Sequence, residues 1–156
     1  MPKMHILGIN AYHPDSSACI VRDGELLAAA EEERFLRIKH WAGFPKESIR
    51  YCLRQADIGL MDINYIALNR DPRANIYKKI AFTFLHNPSV ALIRNRLTNI
   101  LKIKVIKDTL CKEFRISRRA LKAKTVNIEH HRAHLASAFF VSPFEKTKNK
   151  PTTARK

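Results

Sequence analysis

The sequence predicts an α/β fold in which one mixed sheet carries helices on its faces. Three short apolar segments follow one another closely at the start of the chain, as consecutive strands do. Helix-like and strand-like segments then alternate over the remainder. The composition, with 46% hydrophobic and 28% charged residues, is that of a globular chain, and 156 residues give room for one domain.

The first three strands are predicted at 5–12, 16–22 and 25–30. Asp23 and Gly24 separate the second from the third and form a two-residue turn of the kind that joins antiparallel strands. The alanines and leucines of segment 25–30 would also suit a helix. The turn before it favours a strand.

A helix is predicted at 45–56, where Ile49, Cys52, Leu53 and Ala56 recur at helical spacing. Later strands are predicted at 62–69 and 124–129, and later helices at 74–86, 87–102, 105–114 and 130–141. Three meandering strands followed by helix–strand alternation are typical of a ribonuclease-H-like module, the unit that is paired in actin, sugar kinases and heat-shock ATPases.

The formal net charge of +15 is spread unevenly, and part of it comes from the five basic residues between Lys146 and Lys156. Between Arg94 and Lys124, eleven basic residues face two acidic ones. Such a region can bind nucleic-acid phosphates, attract anionic nucleotides or form a solvated helix face. It lacks an interleaved series of aromatic residues, which favours the solvated face.

Several absences predict a cytoplasmic protein. The sequence holds no run of about eighteen apolar residues that could span a membrane, and no apolar signal segment precedes the first strand. Cys19, Cys52 and Cys111 are odd in number and far apart. They fit buried thiols in a reducing compartment better than a disulfide framework or a zinc ribbon.

The segment 130–138 carries the strongest signal for chemistry. Residues four apart lie on one face of a helix, so His130 and His134 could bind one metal ion, whereas His131 is rotated off that face. An imidazole pair suits iron, zinc or manganese, with oxygen ligands from elsewhere. The alternative is a helix N-terminus whose histidines lie in solvent.

The connection between the first two strands offers Asn10, His13, Ser16 and Ser17. A loop of this kind can bind a phosphate through backbone N–H groups, and His13 could act as an acid or base near neutral pH. Ordinary turn chemistry is the alternative.

A charged run follows the third strand. Its three glutamates, at 31–33, precede the basic residues Arg34, Arg37, Lys39 and His40. The run is either a solvated charge cluster or a segment that anchors the phosphates or carbamoyl group of a substrate.

Together, ILGINAYHPDSSACIVRDGELLAAAEEERFLRIKH and the downstream EHHRAHLASAFFVSPF resemble the N-terminal part of the O-carbamoyltransferases of nodulation and antibiotic biosynthesis. That family is related to the tRNA threonylcarbamoyl-adenosine transferases. The resemblance implies that carbamoyl phosphate and ATP give carbamoyl-adenylate, whose carbamoyl group passes to a hydroxyl of a small acceptor. It implies an iron-type divalent metal on His130 and His134, and His13 as the candidate that activates the acceptor. It also implies that Lys39 and His40 line the substrate channel.

The resemblance runs from about residue 6 to 144 and is weakest over 73–119, which we interpret as a basic helical insertion. Residues 145–156 are polar and basic, and we expect this tail to be disordered. The family's second half-domain, with an aspartate metal ligand, and its adenylate-forming domain find no counterpart. We therefore interpret 1–144 as the first half-domain only. The chain is expected to be a truncated carbamoyltransferase, either inactive alone or completed by a second polypeptide. A non-catalytic module that binds nucleic acid through its basic helices is the alternative.

Overall fold

The computed structural model describes residues 3–69 and 106–140, which form one sheet and its flanking helices. The strands are β1 (His5–Asn10), β2 (Ser17–Arg22), β3 (Glu25–Glu31), β4 (Tyr65–Leu68) and β5 (Lys124–Asn127). The helices are α1 (Glu33–Leu36), α2 (Lys46–Ala56), α3 (Ile106–Glu113) and α4 (His130–Phe140), with a 3₁₀ turn at Leu60–Asp62.

The strand order in the sheet is β3-β2-β1-β4-β5. β2 is antiparallel to both β1 and β3, whereas β4 is parallel to both β1 and β5. A three-stranded meander extended by parallel strands on the β1 side is the ribonuclease-H-like arrangement, so the predicted fold class is confirmed. The predicted helices at 74–86 and 87–102 and the tail at 145–156 lie outside the described residues, as does most of the basic insertion at 73–119.

The core lies on one face of the sheet. Alternate residues of β1, β2 and β4 point to opposite faces, and Leu7, Ile20 and Ile66, which share one face, are fully buried. α2 covers β2 and β3 and adds Ile49 and Cys52 at helical spacing. Cys19, Cys52 and Cys111 are free thiols. Burial raises the pKa of the Cys52 thiol to about 12, which keeps it protonated.

The first turn of α2 is capped by the buried carboxylate of Glu32, a residue of the charged run after β3. Glu32 is 1% exposed. Its Oε1 accepts a hydrogen bond from the N–H of Glu47 at 3.0 Å, and its Oε2 accepts from the N–H and hydroxyl of Ser48 at 2.8 and 2.7 Å. These groups belong to the first turn of α2, where backbone donors have no partner within the helix. The interpretation of this run as a solvated cluster is therefore wrong for Glu32.

The helices of the described ranges are all too short, or too polar, to pass through a bilayer.

Candidate active site

A groove opens on the face of the sheet opposite the core. Its volume is about 620 Å³. Its floor consists of small residues that alternate with the core positions, among them Gly8, Cys19, Ala29 and Ala67. Its polar wall is formed by Asn10, Ser17, Glu31, Arg34, Asn69, His130, His134 and Ser137. The small floor residues leave the space that a ligand could fill.

The edge of the sheet sets where the polar groups lie. β1, β4 and β5 are parallel, so their carboxyl ends meet at one edge. Asn10 ends β1, Asn69 follows β4, and α4 begins three residues after β5 ends. The Nδ2 of Asn69 donates to the Oδ1 of Asn10 at 3.1 Å, which ties the two strand ends together. This is the edge at which open α/β sheets bind their ligands.

α4 presents His130 and His134 to the groove as a pair. Their Nε2 atoms are 3.1 Å apart, and their ring planes are at 89° with centroids 4.5 Å apart. If two nitrogen atoms each bind one divalent ion at about 2.1 Å and the nitrogen–metal–nitrogen angle is about 90°, the nitrogen atoms are about 3.0 Å apart. The donor set and spacing therefore fit a shared ion. Within residues 3–69 and 106–140, no third His, Cys, Asp or Glu joins them in a metal-binding group.

His131 has a different environment, as its position on the helix predicts. Its Nδ1 lies 2.8 Å from the Oε1 of Glu129, and its side chain is 86% exposed. The other oxygen of Glu129 accepts the N–H of Arg132 at 3.0 Å, which caps α4. The hydrogen bond with His131, followed by those from the backbone, lowers the pKa of Glu129 to about 2.

The loop between β1 and β2 places a third imidazole, that of His13, near His130. The ring of His13 lies 6.0 Å from that of His130, centroid to centroid. Its Nδ1 is 3.1 Å from the carbonyl oxygen of Pro14. The structure therefore brings the three predicted histidines together beside the groove.

The remaining predicted residues divide into three groups. Asn10, Ser17 and Arg34 line the groove. Ser16 is 1% exposed, and its hydroxyl lies 2.8 Å from the carbonyl oxygen of Gly43 and 3.0 Å from that of His13, so it holds the loop. Lys39 and His40 are exposed and lie outside the groove lining, and His40 contacts Asp15.

Sequence reasoning missed Asn69 and Glu31, which also line the groove. Asn69 had a usable signal, because a polar residue directly after a buried parallel strand lies at the ligand-binding edge. No local pattern distinguished Glu31, because it lies within a run of three glutamates.

Comparisons with known proteins decide the family. Residues 5–153 match the family model described as carbamoyltransferase N-terminus. The chain belongs to the carbamoyltransferase family. Its predicted resemblance to the N-terminal part of these enzymes is thereby confirmed.

Two relatives are similar to most of this chain. Nodulation protein NolNO of Sinorhizobium fredii is 33% identical over 88% of this chain and 19% of its own length. The uncharacterized protein sll1178 of Synechocystis is 39% identical over 90% of this chain and 24% of its own length. The matched region thus spans about a quarter or less of the length of these two relatives. Among solved structures, YeaZ from Pseudomonas aeruginosa gives a TM-score of 0.44 at 14% identity, over 86% of this chain and 50% of that one.

Proposed function

We propose that this chain forms the metal-binding and acceptor-activating wall of a carbamoyltransferase active site. The observation that carries the proposal is the pair of Nε2 atoms of His130 and His134, 3.1 Å apart, with the His13 ring 6.0 Å from His130. Membership of the carbamoyltransferase family supports the choice of reaction. The activity of the whole enzyme is carbamoyl transfer from carbamoyl phosphate, through an ATP-dependent carbamoyl-adenylate, to a hydroxyl of a small acceptor.

His130 and His134 would hold the metal, an iron-type divalent ion. When bound, such an ion supplies stabilisation of the negative charge that develops on a leaving or attacking oxygen. The imidazole nitrogens suit this class of ion, and the other ligands of a bound ion would be oxygen donors.

His13 accepts the proton of the acceptor hydroxyl. In the tautomer whose Nδ1–H donates to the carbonyl of Pro14, at 3.1 Å, the Nε2 carries a lone pair. That nitrogen can remove the hydroxyl proton as the hydroxyl oxygen attacks the carbamoyl carbon of carbamoyl-adenylate, whose bond to the phosphate then breaks to release AMP. The local contact of the loop thus selects the tautomer that a general base requires.

The anionic substrate lies along the groove. Arg34 offers a guanidinium to phosphate oxygens, and Asn10 and Ser17 offer hydrogen bonds at the edge of the sheet. A substrate role for Lys39 stays a prediction, since it lies outside the groove lining.

The complete reaction uses residues beyond this sequence, in a longer form of the polypeptide or in a second one. The length of the relatives, four to five times the matched region, supports this part of the proposal. We place the reaction in the cytoplasm, in keeping with the three free thiols.

Metal binding tests the proposal. The purified chain is loaded with Fe²⁺ without oxygen, or with Zn²⁺ or Mn²⁺, and the bound metal is measured after gel filtration. We expect the His130→Ala, His134→Ala variant to bind at least about 100-fold more weakly, because loss of direct ligands exceeds the effect of losing their supports. The matched control is His131→Ala, which removes a neighbouring imidazole outside the pair and should bind as wild type does. Equal metal content in wild type and the double variant would refute the proposal.

A further inference from the structure

The loop that carries His13 is held by a segment remote in sequence. We name residues 11–16 the His13 loop and residues 40–43 the strap. The N–H of Tyr12 donates to the carbonyl of Gly43 at 3.1 Å, and the N–H of Ser16 donates to the carbonyl of Trp41 at 3.0 Å. The buried hydroxyl of Ser16 lies 2.8 Å from the carbonyl oxygen of Gly43. Both ends of the loop are therefore attached to the strap.

A side-chain pair joins the two segments on the surface. The Nδ1 of His40 lies 2.9 Å from the Oδ1 of Asp15. The hydrogen bond with Asp15, then its charge, raises the pKa of His40, and the charge of Glu33 acts in the same direction. A carboxylate oxygen of Glu33 also accepts the N–H of His40 at 3.3 Å, which holds the strap near α1.

The backbone of the His13 loop needs this support. Tyr12 and Asp15 in the loop have φ angles of 58° and 63°, and His40 in the strap has a φ angle of 54°. Residues with a side chain adopt this left-handed region at a cost in free energy, so isolated loops rarely hold it at several positions. The contacts with the strap offset that cost, and the position of the His13 ring depends on them.

We propose that His40 is a positioning residue, which acts through Asp15 to hold the His13 ring beside His130. The sequence predicted His40 as a substrate ligand instead. Its Nδ1 faces Asp15, and the residue lies outside the groove lining, so the observed contacts favour the positioning role. The inference rests on the proposed function for the role of His13 in transfer, whereas the attachment of the loop can be tested without it.

Amide hydrogen exchange of the loop tests the attachment in the metal-free chain. The variants are His40→Asn and Asp15→Asn, because asparagine tolerates left-handed backbone while it removes the charged partner. We expect the Ser16 amide to exchange about two- to fivefold faster in either variant, the range for loss of one exposed ion pair. The double variant should exchange no faster than the single variants, because all three lack the same ion pair. Lys39→Ala, which removes a neighbouring cation, is the matched control, and the amide of Ile49 in α2 should stay unchanged in every variant.

The pH dependence of exchange at the Ser16 amide distinguishes loss of the His40–Asp15 ion pair from a general loss of structure. The charged groups that face His40 are Asp15 and Glu33. Protection of the Ser16 amide, corrected for intrinsic exchange, should fall in wild type as pH rises through the pKa of His40. It should show no such step in His40→Asn. Wild-type protection without this step, or exchange equal in wild type and His40→Asn, would overturn the inference.

Mn²⁺ serves as a probe of the His13 position. In wild type, an ion at His130 and His134 should broaden the NMR signal of the His13 ring strongly. In His40→Asn the broadening should decrease although Mn²⁺ affinity stays the same, and unchanged broadening would overturn the inference. Failure of wild type to bind Mn²⁺ at this pair counts against the proposed function, and the exchange experiment then decides the positioning role alone.

Discussion

Replacement of Glu32 by alanine should be among the most destabilising single changes in the described part of the chain. The side chain is 1% exposed and accepts three hydrogen bonds from the first turn of α2. Hydrogen bonds to a charged group contribute about 1.5–3 kcal/mol each, and they are not additive when they share one acceptor group. We therefore expect Glu32→Ala to lower the free energy of unfolding by about 3–5 kcal/mol, a large part of the stability of a small domain.

Urea unfolding followed by circular dichroism measures this loss. Glu31→Ala is the matched control, because Glu31 is an exposed neighbour of the same type, and it should change stability by less than about 0.5 kcal/mol. Glu32→Gln keeps one acceptor oxygen and should fall between the two. If Glu32→Ala and Glu31→Ala unfold at the same urea concentration, the capping role of Glu32 is refuted.

Two further changes test the sheet and its surface. Gly8→Ala should cost about 1–3 kcal/mol, because the added Cβ would lie 2.6 Å from the Sγ of Cys19. A Gly8→Ala, Cys19→Ala double variant should regain most of the lost stability, as measured by thermal unfolding. If it regains none, the steric explanation is contradicted. The hydrogen bond with Lys46 lowers the pKa of Glu113, so the contribution of this pair is present above about pH 4.5 and is lost as pH falls through the lowered value. Wild type and Glu113→Gln should therefore differ in urea midpoint at pH 7 and converge in acid; a difference that persists in acid would contradict this linkage.

The sequence predicted most of the fold, because the relevant signals are local. The Asp23-Gly24 turn indicated antiparallel strands on either side, and the structure places β2 and β3 there. The spacing of His130 and His134 also depends only on helix geometry, and the two rings do meet. Predictions that depended on periodicity or on a two-residue turn could be made without knowledge of the tertiary structure.

The features that the sequence did not predict depend on contacts between distant residues. Glu32 and Ser48 are 16 positions apart, Asp15 and His40 are 25 apart, and Asn10 and Asn69 are 59 apart. Within a run of three glutamates, only packing against α2 distinguishes the buried one. The burial of Ser16 likewise follows from the strap, which no local pattern indicated.

The most direct test of the metal site is anomalous diffraction at the metal absorption edge, from crystals of the chain grown with Fe²⁺ or Zn²⁺. The proposed function predicts a peak about 2.1 Å from the Nε2 atoms of both His130 and His134. A peak at the His131–Glu129 pair instead, or no peak between the two nitrogens at saturating metal, would contradict it.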